Sequence, residues 1–483
     1  MSVPNYIEPF EMEPPLSINN DNNLQEINEL PEGEENSNDN IIFQENKSLD
    51  IGKKPNSKAY CGIRGDSEFS CILNIAVSAI GGGCFSFPYI MYEGGIIVSL
   101  IIFLFTTVCV YYSVDLLRSF VVETKYFSFA LMTETILGPK WLKTYAICSF
   151  SIYTSMEVGY LSSIFLYIQG MYGLKGVASK ILYFIISMFI EIIICLYITK
   201  IAKMHLLSII SIFCFIIMLM SLIVFSILAN CKKQVTGKFT SHNLFFPILS
   251  QDNFINKLFK ISSYLMIYTY GYSYHSTFPT LIGSLKNVTH SNTKKVHLIS
   301  FGIISMAYLL ISIFGFLLSN EVPTEIFQHD EELFTGSWAN LRKPFKYSLI
   351  VFLLFLLPIR FIVLRDNYIT LIGEKKMTFF KELPIVTIFI FICNILVYCV
   401  SEFDTHVKKF EIKTLIQAFG GMFGVIISFC LPVVNYVAVN GKRKIKSIIG
   451  YIITGFYVIV GFLSFSYTFI TIFCIEKESS NDS

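Results

Sequence analysis

The sequence predicts an all-α integral membrane protein of about eleven transmembrane helices, two inverted five-helix halves plus one extra helix. Three observations lead there. The chain of 483 residues is 53% hydrophobic and 15% charged, with mean hydropathy +0.59, outside the range of soluble domains and disordered chains. Apolar stretches long enough to cross a bilayer, roughly 20 residues as helix, recur along it. Two of those stretches, five spans apart, are interrupted in their middles by glycine with a proline following.

Residues 1–66 are different material, rich in Asn, Glu, Pro and Ser, and they include GEENSNDN from Gly33 to Asn40. They read as a disordered cytoplasmic tail, without the basic and apolar regions of a cleaved leader. The first apolar segment is then expected to act as the insertion signal. A membrane domain is expected over 67–475, with helices near 70–91, 95–117, 143–170, 181–199, 205–229, 259–284, 296–318, 347–366, 384–401, 413–438 and 448–474. A short tail, 476–483, follows.

The first segment, SCILNIAVSAIGGGCFSFPYIM, carries Gly81, Gly82 and Gly83 at its centre and Pro88 beyond. Lipid offers no partner to freed backbone groups, so a break at this depth belongs inside protein or beside a water-filled cavity. The alternative is a glycine face for close helix packing. The sixth segment is interrupted in the same way: Gly271, then Tyr272 to Ser276, then Pro279. Five spans reverse the direction of the chain, so the halves run antiparallel. Paired broken helices in inverted halves point to a binding site between them.

Basic residues set the expected topology. Inner loops would carry Arg118, Lys125 and Lys140; Lys200 and Lys203; Lys286, Lys294 and Lys295; Lys375, Lys376 and Lys381; and Lys442, Arg443, Lys444 and Lys446. The loop between segments five and six, with Lys232, Lys233 and Lys238, runs against the pattern. The positive-inside rule places the amino terminus in the cytoplasm and, with an odd count, the carboxyl terminus outside. The sequon at Asn287 would face the cytoplasm and stay unglycosylated.

Ionisable groups inside spans are costly and mark candidate sites. Glu157 shares a helical face with Tyr153, Thr154 and Tyr160. It is a candidate proton carrier, or a structural carboxyl bonded to a tyrosine. Glu191 lies among apolar neighbours and reads as structural or protonated. His275 sits in the second break, able to titrate or to brace the break as a neutral histidine. Arg360 is either a snorkelling residue near the inner surface or a fixed cation beside an ion site. Asn74 and Ser78, one turn apart before the first break, could ligate an ion or bond to the bundle.

The run Asn74–Pro88, with its glycine cluster and Phe87-Pro88-Tyr89, resembles the opening helix of amino acid/auxin permease family transporters. Tyr270, His275, Pro279 and Leu285-Lys286-Asn287 resemble that family's sixth helix, with Ser284 where the family usually has Glu. Pro358-Ile359-Arg360 resembles its eighth helix; Gly420-Gly421 and Leu431-Pro432 resemble its tenth. The resemblance spans nearly the whole chain after residue 69. It implies eleven helices, the LeuT-type fold, and secondary active transport of amino acids.

A zwitterionic amino acid presents a carboxylate and an ammonium. Opened helices present backbone N–H and C=O groups to match. The expected substrate ligands are therefore Gly81, Gly82 and Gly83 through their backbone, with Ile80 and Cys84 beside them, and Tyr270, Ser273 and Tyr274 from the second half. The ion or proton candidates are Asn74, Ser78, Glu157, His275 and Arg360. Transport is expected to be proton-coupled or facilitative, with sodium left open by the oxygens of Asn74 and Ser78. An amino-acid sensor signalling through the N-terminal tail is the alternative.

An enzyme is not expected, since the chain has no HExxH, no paired catalytic carboxylates and no GxxxxGK(S/T) loop. The 12 cysteines lack metal or disulfide spacing, so no metal or cofactor is expected beyond a coupling proton or sodium ion. A net charge of +2 gives no case for nucleic acid. The expected partners are an amino-acid substrate and the lipid of a plasma or acidic-organelle membrane.

Overall fold

The computed structural model describes residues 66–173, 176–197, 201–231, 253–318, 339–372, 379–406, 420–441 and 444–474. The tails expected at 1–66 and 476–483 lie outside these residues, except for Asp66. So do Lys232–Lys238 and the acidic stretch Glu321–Glu332. Among the described residues the named elements are all helical, and one isolated backbone bridge joins Asp66 to Leu285.

The first apolar segment folds as two helices, α1 (Glu68–Ala79) and α2 (Phe87–Gly94), separated by extended backbone at Ile80 and Gly81 and a 3₁₀ run over Gly82–Ser86. Ser67 starts α1, its hydroxyl accepting the Ser70 N–H at 3.1 Å. Pro88 stands in the first turn of α2, where a missing N–H leaves no bond unmade. The axis bends by 54° across the gap. Gly95, at φ 79°, takes the left-handed turn into α3 (Ile96–Thr124). A short α4 (Phe129–Leu137) leads to α5 (Pro139–Tyr172), followed by α6 (Val177–Tyr197) and α7 (Ile201–Cys231).

The second half opens the same way. Asn253 caps α8 (Phe254–Gly271), irregular backbone follows, and Pro279 stands in the first turn of α9 (Phe278–Gly283). The dipeptide Phe-Pro restarts the helix in both halves. Thr289 caps α10 (His290–Phe316). Then come α11 (Ala339–Ile372), α12 (Phe379–His406), a π-helical stretch at Gly420–Gly424 and Ile426–Cys430 running into α13 (Leu431–Asn440), and α14 (Ile445–Cys474).

Among the described residues, seven helices are long and apolar enough to cross a membrane, and the bent pair α1–α2 makes an eighth. The remaining expected segments fall on α5, on α8 with α9, and on α12. Both broken segments lie at the centre, with α1 against α7 and α10, and α8 against α14 and the 3₁₀ run. The periphery faces lipid: α6 exposes Ile185, Phe189 and Ile193, and α14 exposes Ile452, Ile459 and Phe462. At one end of the bundle Asp66 clips the chain to the end of α9, through Asp66 N–H to the Ser284 carbonyl at 3.1 Å and Lys286 N–H to the Asp66 carbonyl at 3.2 Å.

Candidate functional site: two opened helices at the centre of the bundle

Backbone geometry makes the site. At the first break the Ile80 N–H still bonds the Ala76 carbonyl, but Gly81 is extended and the next bond, Cys84 N–H to the Gly81 carbonyl, is of the tighter 3₁₀ kind. At the second, Ser273 bonds back to Tyr270 and Phe278 to Tyr274, with Tyr272 and Tyr274 joined across two residues. The hydroxyl of Tyr308, on α10, reaches both breaks. It lies 2.6 Å from the Ala79 carbonyl and within bonding distance of the Gly271 carbonyl. With both carbonyls within reach of one hydroxyl, Tyr308 links the two helix ends.

The glycines serve packing as well as opening. A Cβ on Gly81 would meet the Tyr160 hydroxyl at 2.2 Å, and one on Gly271 would meet Phe87 of α2 at 2.4 Å. A Cβ on Gly83 would lie 3.1 Å from the Tyr270 ring, and one on Gly420 would lie 3.3 Å from the same ring. Tyr270 is thus held between the first break and the π-helical stretch, its hydroxyl 3.2 Å from that of Ser155.

Several expected site residues meet here and others do not. Ile80 and Cys84 are buried at the first break. Tyr270 touches it, and Ser273 contributes its carbonyl to Arg360. Tyr274 turns elsewhere, its ring packing on His275 and Phe278. Tyr270 lies in α8 and Tyr274 beyond its end in irregular backbone, so the four-residue spacing that would align them on a continuous helix is lost. His275 is fully buried and neither ring nitrogen has a partner. Ser78 donates to the Ile75 carbonyl of its own helix at 2.8 Å. Asn74 is fully buried with its side-chain oxygen and nitrogen both unpartnered.

Arg360 does not snorkel to the surface. It is 1% exposed and lies at the two breaks. Nη1 donates to the Ser273 carbonyl and Nη2 to the Tyr160 hydroxyl, both at 3.4 Å, and the guanidinium stands 5.8 Å over the Tyr153 ring. The face of α5 that carries Tyr153 and Tyr160 also carries Glu157, buried, with Oε2 unpartnered and within electrostatic range of Arg360 and Glu191. Glu191 is satisfied: Ser187 donates to Oε1, and Asn394 of α12 to Oε2 at 3.0 Å. Tyr308, Tyr153 and Tyr160 emerge from the geometry as site residues. A tyrosine in an apolar helix has no local sequence signal that separates such a role from packing.

Two interrupted helices crossing at the centre of an otherwise continuous bundle define a membrane transporter of the LeuT-type fold. Solved structures similar to this chain agree. Two mutants of the Eremococcus coleocola manganese transporter match with TM-score 0.59, at 11% and 10% identity, over 86% of this chain and 92% of theirs. A Na⁺-coupled sialic acid symporter in a substrate-bound outward-open state matches with TM-score 0.53 at 10% identity, again over 86% and 92%. The chain itself matches the family described as transmembrane amino acid transporter protein over residues 64–474 and belongs to it. It is a multi-pass membrane transporter and not an enzyme. No curated protein sequence matches the chain.

Proposed function

We propose that this protein moves amino acids across a membrane by alternating access, the substrate held between the opened backbones of Gly81–Gly83 and Gly271–Ser276, with a proton as the coupling ion. The observation that carries the reading is the meeting of two helix breaks, one from each half, joined through Tyr308 and flanked by Tyr270 and Arg360. Opened backbone supplies N–H groups for a carboxylate and carbonyls for an ammonium. Glu157, a buried carboxyl with one oxygen unpartnered on the same helix face as Tyr160, supports the proton. Sodium is the second reading, favoured by the unpartnered side chain of Asn74. The amino terminus is read as cytoplasmic.

The test is uptake of a labelled amino-acid panel by the purified protein in liposomes, under a proton gradient, a sodium gradient, or neither. Saturable uptake stimulated by the proton gradient is expected. Stimulation by sodium alone would move the coupling site to Asn74. Uptake of no amino acid by folded protein would overturn the transport reading and favour the sensor.

A further inference from the structure

Arg360 is the residue whose surroundings leave the most unexplained. Taking a guanidinium out of water costs several kcal/mol unless a counter-charge or good hydrogen bonds offset it. Among the described residues, no acidic side chain forms an ion pair with Arg360. Glu157 acts on it only through space. Its two hydrogen bonds, at 3.4 Å, are longer than the 2.7–2.9 Å typical of charge-assisted bonds, and Nε has no partner. Tyr153 adds a cation–π contact. Yet the guanidinium is fixed in place, with Nη2 3.4 Å from where a Cβ on Gly81 would stand.

We propose that Arg360 takes a carboxylate of the substrate and so sets the specificity of the site, a role that rests on the breaks being the amino-acid site. A carboxylate is planar with two equivalent acceptors, and the guanidinium fork matches it with paired N–H donors. Gly81, where the helix is opened, lies beside the guanidinium, so a carboxylate there would meet the side chain and the opened backbone together. This arrangement favours an anion and disfavours an ammonium or a sodium ion at Gly81. It predicts that the substrate enters with its carboxylate toward α11 and that Tyr160, which shares the guanidinium, positions Arg360 rather than binding the substrate.

The experiment compares wild type with Arg360→Lys and Arg360→Gln in liposomes. For each amino acid of the uptake panel, competition by its decarboxylated amine and by its deaminated acid is measured; for leucine these are 3-methylbutylamine and 4-methylpentanoate. In wild type the acid should compete and the amine should not. Arg360→Lys should raise KM about tenfold or more with a smaller change in kcat, the size of a lost charge-assisted bond. Arg360→Gln should lose the preference for acid over amine. Dependence on Arg360 for neutral amino acids assigns the α-carboxylate. Dependence for glutamate alone assigns the side-chain carboxylate. An unchanged KM in Arg360→Gln, or wild type that admits amine and acid equally, overturns the proposal. If the variants do not fold, the wild-type competition alone decides. If wild type transports no amino acid, the reading of the site fails first. The role of Arg360 is then read from thermal stabilisation by 4-methylpentanoate, whose absence overturns it.

Discussion

Two buried carboxyls, Glu157 and Glu191, stand within electrostatic range of each other and differ in one respect that bears on their proposed roles. Glu191 is bonded by Ser187 and Asn394, whereas Oε2 of Glu157 has no partner. A carboxylate with full hydrogen bonding gains little by changing its charge, while an unpartnered one beside a cation can exchange a proton as that cation changes partner. Glu157→Gln is expected to abolish proton-driven accumulation while leaving exchange of labelled for unlabelled substrate. Glu191→Gln is expected to keep proton stimulation and to lower thermal stability. Proton-driven uptake unchanged in Glu157→Gln would remove that residue from coupling. The sequence exposed Glu157 because a carboxyl in an apolar run stands out against its neighbours. The position of Arg360 was not legible: the sequence gives a residue's depth along its own helix, not the helix it faces. Tyr308 was less legible still, since its role depends on two carbonyls 229 and 37 residues away.

At the scale of elements, both breaks could be read in advance because glycine and proline act locally: glycine frees the backbone and proline restarts a helix. The π-helical stretch at Gly420–Cys430 could not be, because a π turn is held open by what packs against it. Here α14 does so. A Cβ on Gly461 would lie 2.4 Å from the Gly421 carbonyl oxygen, and one on Gly421 would lie 3.0 Å from the Gly461 carbonyl oxygen. Those contacts are with backbone, so no side chain can rotate to relieve them. Gly461→Ala is expected to destabilise the protein by about 1–3 kcal/mol, as overpacking does. Gly302, inside α10, has no atom within 4 Å of its Cβ position. Gly302→Ala should be neutral or stabilising by about 0.5–1 kcal/mol, since it removes a flexible residue from a helix. Thermal melts of the two variants in detergent check the pair. Equal melting temperatures would mean that α14 and the π stretch separate easily, against the close approach of their backbones.

For the whole molecule, the ion pairs sort the charges by end. Lys295 pairs with Glu68 at 2.8 Å, Arg118 and Lys446 both approach Asp115, and Lys125 donates to the Val288 carbonyl. All of these lie where α1 begins and α3 ends. At the start of α8 and the end of α2, the opposite end, Lys260 pairs with Glu93. One end is thus rich in lysine and arginine, and the positive-inside rule reads it as cytoplasmic. It is also the end where Asp66, just before α1, is clipped to the end of α9. The prediction is twofold. Asn287, two residues before the Thr289 cap of α10, should carry no glycan when the protein is made in a secretory membrane. A tag at residue 1 should be reached by antibody only after the membrane is permeabilised, and a tag after residue 483 without it. Glycosylation at Asn287 would invert the assignment. Substrate entering from outside would then meet the Asp66 clip first.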